Sequence, residues 1–372
     1  MKKIVVCIGT RPEAIKMAPL IHMLKQDSEY EVYVCSTGQH KEMVDEIFKF
    51  FEIEPNVDFQ LMGKTKNILD LSSKLIGKFD TYLDEVKPDL VLAQGDTTSV
   101  FVAAVAAYYK RIKFGHVEAG LRTYNKYSPW PEEGNRKMVS PVTDFHFAPT
   151  LRSKLNLINE GIPLEDIFVT GNTVIDALLM TLDIIGDSEP RIDFGQDIEQ
   201  YEKIILITGH RRENIGIGFD NIFSAIEQLA RAYPKVAFIF PVHLNPEVRS
   251  QVDSLLRTKE LQNLMLISPL SYPEFVWLMK KSYFIITDSG GVQEEAPTLG
   301  KPVLVTRDTT ERPEGVDAGV VKIVGAKKEN IVQEAVLLLE DEYEYNKIAQ
   351  IKNPYGDGTA TKIICDTIKL HL

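Results

Sequence analysis

The feature that most limits how this chain can fold is a regular alternation of short apolar runs with longer amphipathic ones. Residues 4–8, 31–36, 90–93, 112–117 and 145–148 are rich in β-branched and aromatic side chains and too short for helices. Between them, residues 14–24, 41–48, 69–86 and 99–109 carry helical spacing. A strand that is apolar throughout needs cover on both faces, and helical connections supply it, so the pattern predicts a parallel sheet. The polar stretch Gly186-Asp187-Ser188-Glu189-Pro190 interrupts the alternation and reads as a linker. The pattern then restarts, with strands expected over 203–207, 236–240, 264–267, 284–287, 303–305 and 320–324 and helices over 218–232, 247–257, 272–280, 292–299 and 330–339. A length of 372 residues suits two domains. The expected fold class is α/β, with two Rossmann-like doubly wound parallel-sheet domains. Ligands of such sheets lie beyond the carboxyl ends of the strands, and two facing units make the interdomain cleft the natural place.

Charge and cysteine content exclude several classes. Forty-two basic against 53 acidic residues leave a net charge of −11, which disfavours nucleic acid or an anionic membrane as partner. A few local arginines can still hold a small anion. Cys7, Cys35 and Cys365 form no CxxC pair and leave an odd count, so a disulfide framework is not expected. Cys7 and Cys35 sit in strand-like runs and read as small core hydrophobes. No run approaches the roughly 18 apolar residues of a membrane span. The start Met1-Lys2-Lys3 is followed by too short an apolar stretch for a signal peptide, and Arg11 interrupts it. A reduced, cytoplasmic protein is expected.

Four stretches at expected strand ends carry candidate chemistry. Thr287-Asp288-Ser289-Gly290-Gly291 precedes a helix and is either a phosphate-binding turn or a structural turn with Ser289 as N-cap. Glu295, one turn further on, is placed for ribose hydroxyls or simply for solvent. Gly9-Thr10-Arg11-Pro12-Glu13-Ala14-Ile15-Lys16 lacks the glycines of a dinucleotide or P-loop fingerprint. It offers instead Arg11 and Lys16 beside a helix start that Pro12 suits, either an anion clamp or ordinary surface charge. Asp96, in Gln94-Gly95-Asp96-Thr97-Thr98, either faces the ligand edge or caps the next helix. Glu118 follows the strand over 112–117, and Glu132 lies in a stretch, 131–136, that reads as a loop rich in aromatics and prolines. His210 stands between Gly209 and Arg211-Arg212 at the mouth of the second sheet, and His243 occupies the corresponding place after the next strand. Neither zinc-ligand spacing nor a GxSxG elbow occurs.

Taken in order, these stretches resemble the bacterial UDP-N-acetylglucosamine 2-epimerases, of the non-hydrolysing kind. The resemblance is carried by Gly9-Thr10-Arg11-Pro12-Glu13-Ala14-Ile15-Lys16, Gln94-Gly95-Asp96-Thr97, His116-Val117-Glu118-Ala119-Gly120-Leu121-Arg122, Pro131-Glu132-Glu133 with Asn135-Arg136, Gly171-Asn172-Thr173-Val174-Ile175-Asp176, Gly209-His210-Arg211-Arg212-Glu213-Asn214 and Asp288-Ser289-Gly290-Gly291-Val292-Gln293-Glu294-Glu295. It runs to about Gly319 and includes Arg312-Pro313-Glu314.

That resemblance implies a glycosyltransferase-B architecture, with residues 1–170 as the first domain, 171–358 as a UDP-binding second domain, and a C-terminal helix over 359–372 returning to the first. It implies interconversion of UDP-N-acetylglucosamine and UDP-N-acetylmannosamine through elimination of UDP, without metal or nicotinamide cofactor. A homodimer serving cell-surface polysaccharide synthesis is also implied. Asp96, Glu118 and Glu132 would supply the carboxylates and His210 would assist the leaving group. Arg11, Lys16, Arg136, Asn172, Arg212, Glu213, Ser289, Gly290, Gly291 and Arg312 would hold substrate, and Glu295 the ribose. Gln39, His40, Arg211 and His243 match a second, activating nucleotide-sugar site. There the family's Arg-Gln pair is replaced by Thr65-Lys66, and Lys66 lacks an arginine's bidentate fork. The alternatives are a hydrolysing 2-epimerase or a glycosyltransferase of the same fold.

Overall fold

The structure is a computed structural model and describes residues 1–39, 41–256 and 260–372, with Lys41 and Arg212 described as backbone only. The chain forms two compact units, Met1–Met180 with Tyr355–Leu372, and Thr181–Pro354.

Unit 1 is built on seven strands: β1 (Lys2–Ile8), β2 (Tyr30–Ser36), β3 (Val57–Asp58), β4 (Leu90–Gln94), β5 (Lys113–Val117), β6 (Phe145–Ala148) and β7 (Ile167–Val169). They pair in the order β3-β2-β1-β4-β5-β6-β7, all parallel. The order reverses between β1 and β4, so their outgoing loops diverge to opposite faces and open a crevice at the carboxyl edge. Helix Ile68–Val86 presents Leu71, Leu75, Phe79 and Leu83 to the sheet core, and helix Thr98–Lys110 lies close because its buried face is largely alanine. Each fully buried Leu or Phe is worth about 1.5–3 kcal/mol. Cys7 and Cys35 are opposite one another on β1 and β2, both free and buried, and burial pushes the Cys35 thiol well above its usual range.

The sequence-derived boundary at 170/171 falls ten residues before the one observed. Gly171–Met180 stays with unit 1 because Asn172 N–H donates to the Tyr355 carbonyl at 2.7 Å and Val174, Ile175 and Tyr355 share a small core. Helix Ala360–His371 packs on helix Arg11–Gln26. Thr361 N–H donates to Asp176 at 2.8 Å, and Lys369 pairs with Asp27 and Glu29.

Unit 2 has six parallel strands, β8 (Lys203–Thr208), β9 (Val236–Pro241), β10 (Leu264–Ile267), β11 (Phe284–Thr287), β12 (Val303–Val305) and β13 (Val321–Ile323). Their order is β10-β9-β8-β11-β12-β13, reversing between β8 and β11. Phe219, Phe223, Phe238, Phe240 and Phe284 fill one side of the sheet.

Two edge strands are added to those expected, and two expectations change. The edge strands β3 and β7 are two and three residues long, below what periodicity reveals. Residues 131–136 are not loop: helix Glu132–Val139 begins there, with Pro131 at its N-cap position. The helix expected over 292–299 is an α-helix, Gly290–Glu295, continued by a 3₁₀ turn, Ala296–Leu299, where Pro297 lacks the amide for an α-bond. Arg257, the expected end of another helix, lies outside the described residues. Among the described residues no helix is long and apolar enough to cross a membrane.

Candidate active site

In unit 1 two of the three expected carboxylates, Asp96 on the loop after β4 and Glu118 after β5, are each met by a cation of the same unit, while Glu132 begins a later helix. Helix Arg11–Gln26 opens with a capping box: Glu13 Oε2 accepts from the amides of Gly9 at 2.5 Å and Thr10 at 3.2 Å. Burial and the charge of Asp96 push the Glu13 carboxyl up to about 7, against these hydrogen bonds. One turn on, Lys16 Nζ donates to Glu118 Oε2 at 2.5 Å, and Gln94 Nε2 donates to the same oxygen at 2.5 Å. Both side chains of the Lys16–Glu118 pair are buried. Glu118 has φ +66°, a left-handed conformation unusual for a residue with a Cβ, where β5 gives way to the loop.

Asp96 is held by Arg136. Nε and Nη2 of the guanidinium lie 2.9 and 2.7 Å from Asp96 Oδ2, and the Asn135 amide donates to the Asp96 carbonyl. Thr97, not Asp96, caps helix Thr98–Lys110, accepting from Val100 N–H at 3.4 Å. Capping therefore leaves the Asp96 side chain to other work. Glu132 is the first residue of its helix, and its Oε2 is buried with no protein partner. Arg11 opens helix Arg11–Gln26 half-buried, without an ion pair among the described residues. Beneath these groups His116 is wholly buried. Nε2–H donates to the Gly95 carbonyl at 2.7 Å, and burial drives the imidazole down to about 3, so the ring is neutral.

In unit 2 the residues at the β8/β11 reversal gather on Asp288. This carboxylate is fully buried and accepts from the amides of His210 (2.9 Å) and Arg211 (2.9 Å) and from the Asn214 side chain (3.2 Å). Burial alone would raise its pKa, but the His210 ring and these amides outweigh it and hold the group below its usual range. His210 Nδ1 lies 3.2 Å from Asp288 Oδ1, which makes Nδ1 the donor in that contact. The His243 ring stacks on His210 at 5.4 Å, and burial together with the His210 ring holds His243 below its usual range.

Ser289 takes the N-cap position of helix Gly290–Glu295, yet its side chain makes no cap hydrogen bond. Gly290 is not needed for a left-handed turn. A Cβ there would run into the Arg312 guanidinium, so glycine permits that arginine's close approach. Arg312 also donates to Glu294 at 2.7 Å and Glu311 at 2.9 Å. Glu295 is buried and accepts from the Tyr272 hydroxyl at 2.8 Å.

Other expected residues are placed differently. Asn172 lies at the Tyr355 junction of unit 1, its Oδ1 accepting from Val174 N–H. Glu213 pairs with Arg307 at 2.6 Å. Of the expected activator set, Gln39 accepts from Ser99 and Lys66 is exposed in unit 1, while Arg211 and His243 belong to unit 2. His40 and the Arg212 side chain lie outside the described residues. Glu13, Gln94, Glu133 and Asp288 went unassigned from sequence, although Thr10-x-x-Glu13 is a readable capping box. Among the described residues no group of three His, Cys, Asp or Glu side chains is arranged for a metal ion.

Two all-parallel doubly wound sheets with polar clusters at both reversal points define an α/β enzyme of glycosyltransferase-B architecture. A glycotransferase structure only 12% identical still matches with a TM-score of 0.66, a likeness of fold alone. The family model for UDP-N-acetylglucosamine 2-epimerase matches residues 22–369. The UDP-N-acetylglucosamine 2-epimerase of Campylobacter jejuni is 49% identical over 99% of this chain and 97% of its own, and that of Escherichia coli strain K12 47% identical over 99% and 98%. The crystal structure of the Neisseria meningitidis UDP-GlcNAc 2-epimerase bound to UDP-GlcNAc is 48% identical, covers both chains fully and has a TM-score of 0.91. The chain belongs to the UDP-N-acetylglucosamine 2-epimerase family and is an isomerase.

Proposed function

We propose that the protein interconverts UDP-N-acetylglucosamine and UDP-N-acetylmannosamine without hydrolysis, by elimination and re-addition of UDP. The C2 hydrogen is not adjacent to a carbonyl, so direct carbanion formation is slow. Departure of UDP with the C1–O electron pair builds positive character at C1 and acidifies that hydrogen. A carboxylate takes the C2 proton, the C1–C2 double bond forms, and 2-acetamidoglucal and UDP result. Protonation of C2 on the other face and attack of a UDP phosphate oxygen on C1 complete the reaction.

The observation that carries this reading is the arrangement at the unit 1 reversal, where Asp96 and Glu118 are each paired to a cation and Glu132 keeps a buried oxygen without a partner. Such groups suit proton transfer on two faces of one carbon. In unit 2, His210 oriented by Asp288 suits assistance to the leaving phosphate. Ser289, Gly290, Gly291 and Arg312 suit the diphosphate, and Glu295 the ribose. Arg11 and Lys16 add positive charge from unit 1. A homodimer, implied by the resemblance, belongs to the same reading, with analytical ultracentrifugation as its check.

Incubation with UDP-N-acetylglucosamine in D₂O, followed by proton NMR, tests the proposal. Deuterium at C2 of both UDP-sugars is the expected outcome. Release of free N-acetylmannosamine would instead show a hydrolysing enzyme.

A further inference from the structure

Glu133 is a buried carboxylate of unit 1 to which the proposed reaction gives no task. It is 0% exposed, in a setting where an uncompensated charge costs several kcal/mol. Three donors compensate it: the amides of Thr123 (3.0 Å) and Tyr124 (2.9 Å), and Arg136 Nη1 (2.8 Å). Its neighbour Glu132 differs, with one oxygen buried and unpartnered. Adjacent glutamates on one helix thus divide into a fully engaged member and one with spare bonding capacity.

The engaged one reaches Asp96 through a single intermediary. Glu133 and Arg136 are three residues apart and share a helix face. Arg136 is itself buried, and its planar fork is gripped from two sides, by Glu133 at Nη1 and by Asp96 at Nε and Nη2. With both edges bonded, the guanidinium plane has one orientation, and so has the carboxylate oxygen it holds. The two amides on Glu133 belong to the segment that follows Glu118, so the same carboxylate ties that segment to the helix bearing Arg136.

We infer that Glu133 is a positioning residue, which fixes Arg136 and through it the Asp96 carboxylate for proton transfer at C2. It touches neither the substrate nor the reacting atoms. The inference rests on the reading of Asp96 as a C2 acid or base, and it makes Arg136 a holder of that carboxylate rather than a substrate anchor.

The test is steady-state C2 exchange by Glu133→Gln, Arg136→Lys and Asp96→Asn. Glu133→Gln keeps an acceptor for one of the two loop amides, turns an NH₂ towards the other, and gives up the negative charge facing Arg136. It is expected to lower kcat about 10²-fold with KM within about twofold, since a small misplacement of a reacting group costs that much. Arg136→Lys leaves Glu133 and its backbone bonds in place and is expected to show the same split, so the test survives if Glu133→Gln folds poorly. The Glu133→Gln/Arg136→Lys double variant is expected to be no slower than the worse of those two single variants. A rise in KM at unchanged kcat in either single variant would overturn the inference, as would wild-type rates in Glu133→Gln. Full exchange by Asp96→Asn would instead remove the functional reading beneath it.

Discussion

The two sheet reversals are built from the same topology and stocked with opposite chemistry. At β1/β4 three carboxylates, Asp96, Glu118 and Glu13, lie on or beside the loops, and lysine or arginine is placed against the first two. At β8/β11 Asp288 is turned inward to grip the backbone of the opposite loop, while Glu213 is engaged by Arg307 and Glu294 and Glu311 by Arg312. The other groups proposed for the ligand there are a histidine, a serine, two glycines and an arginine. A carboxylate cluster repels a diphosphate but can move a proton. Amides, glycines and an arginine attract a diphosphate and are poor bases. On the proposed reading the same fold separates proton chemistry in unit 1 from anion chemistry in unit 2, and the separation has measurable consequences.

The largest expected effects are in unit 1. Asp96→Asn and Glu118→Gln should each slow C2 exchange by about 10²–10⁴-fold, the usual cost of losing a general acid or base. Either variant exchanging at the wild-type rate would take that residue out of the chemistry. In unit 2, Asp288→Asn presents an amide NH₂ to the amides of His210 and Arg211 and loosens their loop. UDP affinity by calorimetry should fall about tenfold, or roughly 1.4 kcal/mol. Gly290→Ala pushes the Arg312 guanidinium aside and should raise KM several-fold with little change in kcat; a pure kcat defect would break the contrast between the units.

The smallest effect is on stability. Folded Glu13 holds its proton up to about 7 against an ordinary 4.5. Its ionisation between those values favours unfolding, so stability present below pH 4.5 is lost as pH rises through 7. Glu13→Gln lacks this titration, and its melting temperature relative to wild type should climb between pH 4.5 and 7. A pH-independent difference would show that Glu13 is ionised in the fold. His116 works in the opposite window: its folded value of about 3 lies below the ordinary 6.5, so stability falls as pH drops from 6.5 towards 3.

Much of this was legible in the residue order because catalytic edges of parallel sheets follow apolar runs that are easy to read. Ile4–Ile8, Leu90–Ala93 and Phe284–Thr287 each end a residue or a few before the loop that matters. Helix Glu132–Val139 was hidden because Pro129 and Pro131 imitate a loop, whereas Pro131 precedes the first helical turn and needs no amide there. The reason for Gly290 was hidden too, since the residue that forbids a Cβ is Arg312, more than twenty positions away. Charge partners were the least legible. Asp96 with Arg136 and Lys16 with Glu118 are 40 and 102 residues apart, and no local spacing encodes such pairs. The capping role offered to Asp96 went to Thr97, a contest between adjacent side chains that only backbone geometry decides.

The central claim is the division of labour between the units, and the UDP affinity of the Asp96→Asn/Glu118→Gln double variant tests it most directly. The account expects calorimetry to return a Kd equal to or tighter than wild type, since two negative charges are removed, in a protein that no longer exchanges C2. A Kd weakened tenfold or more, alongside the lost exchange, would contradict it.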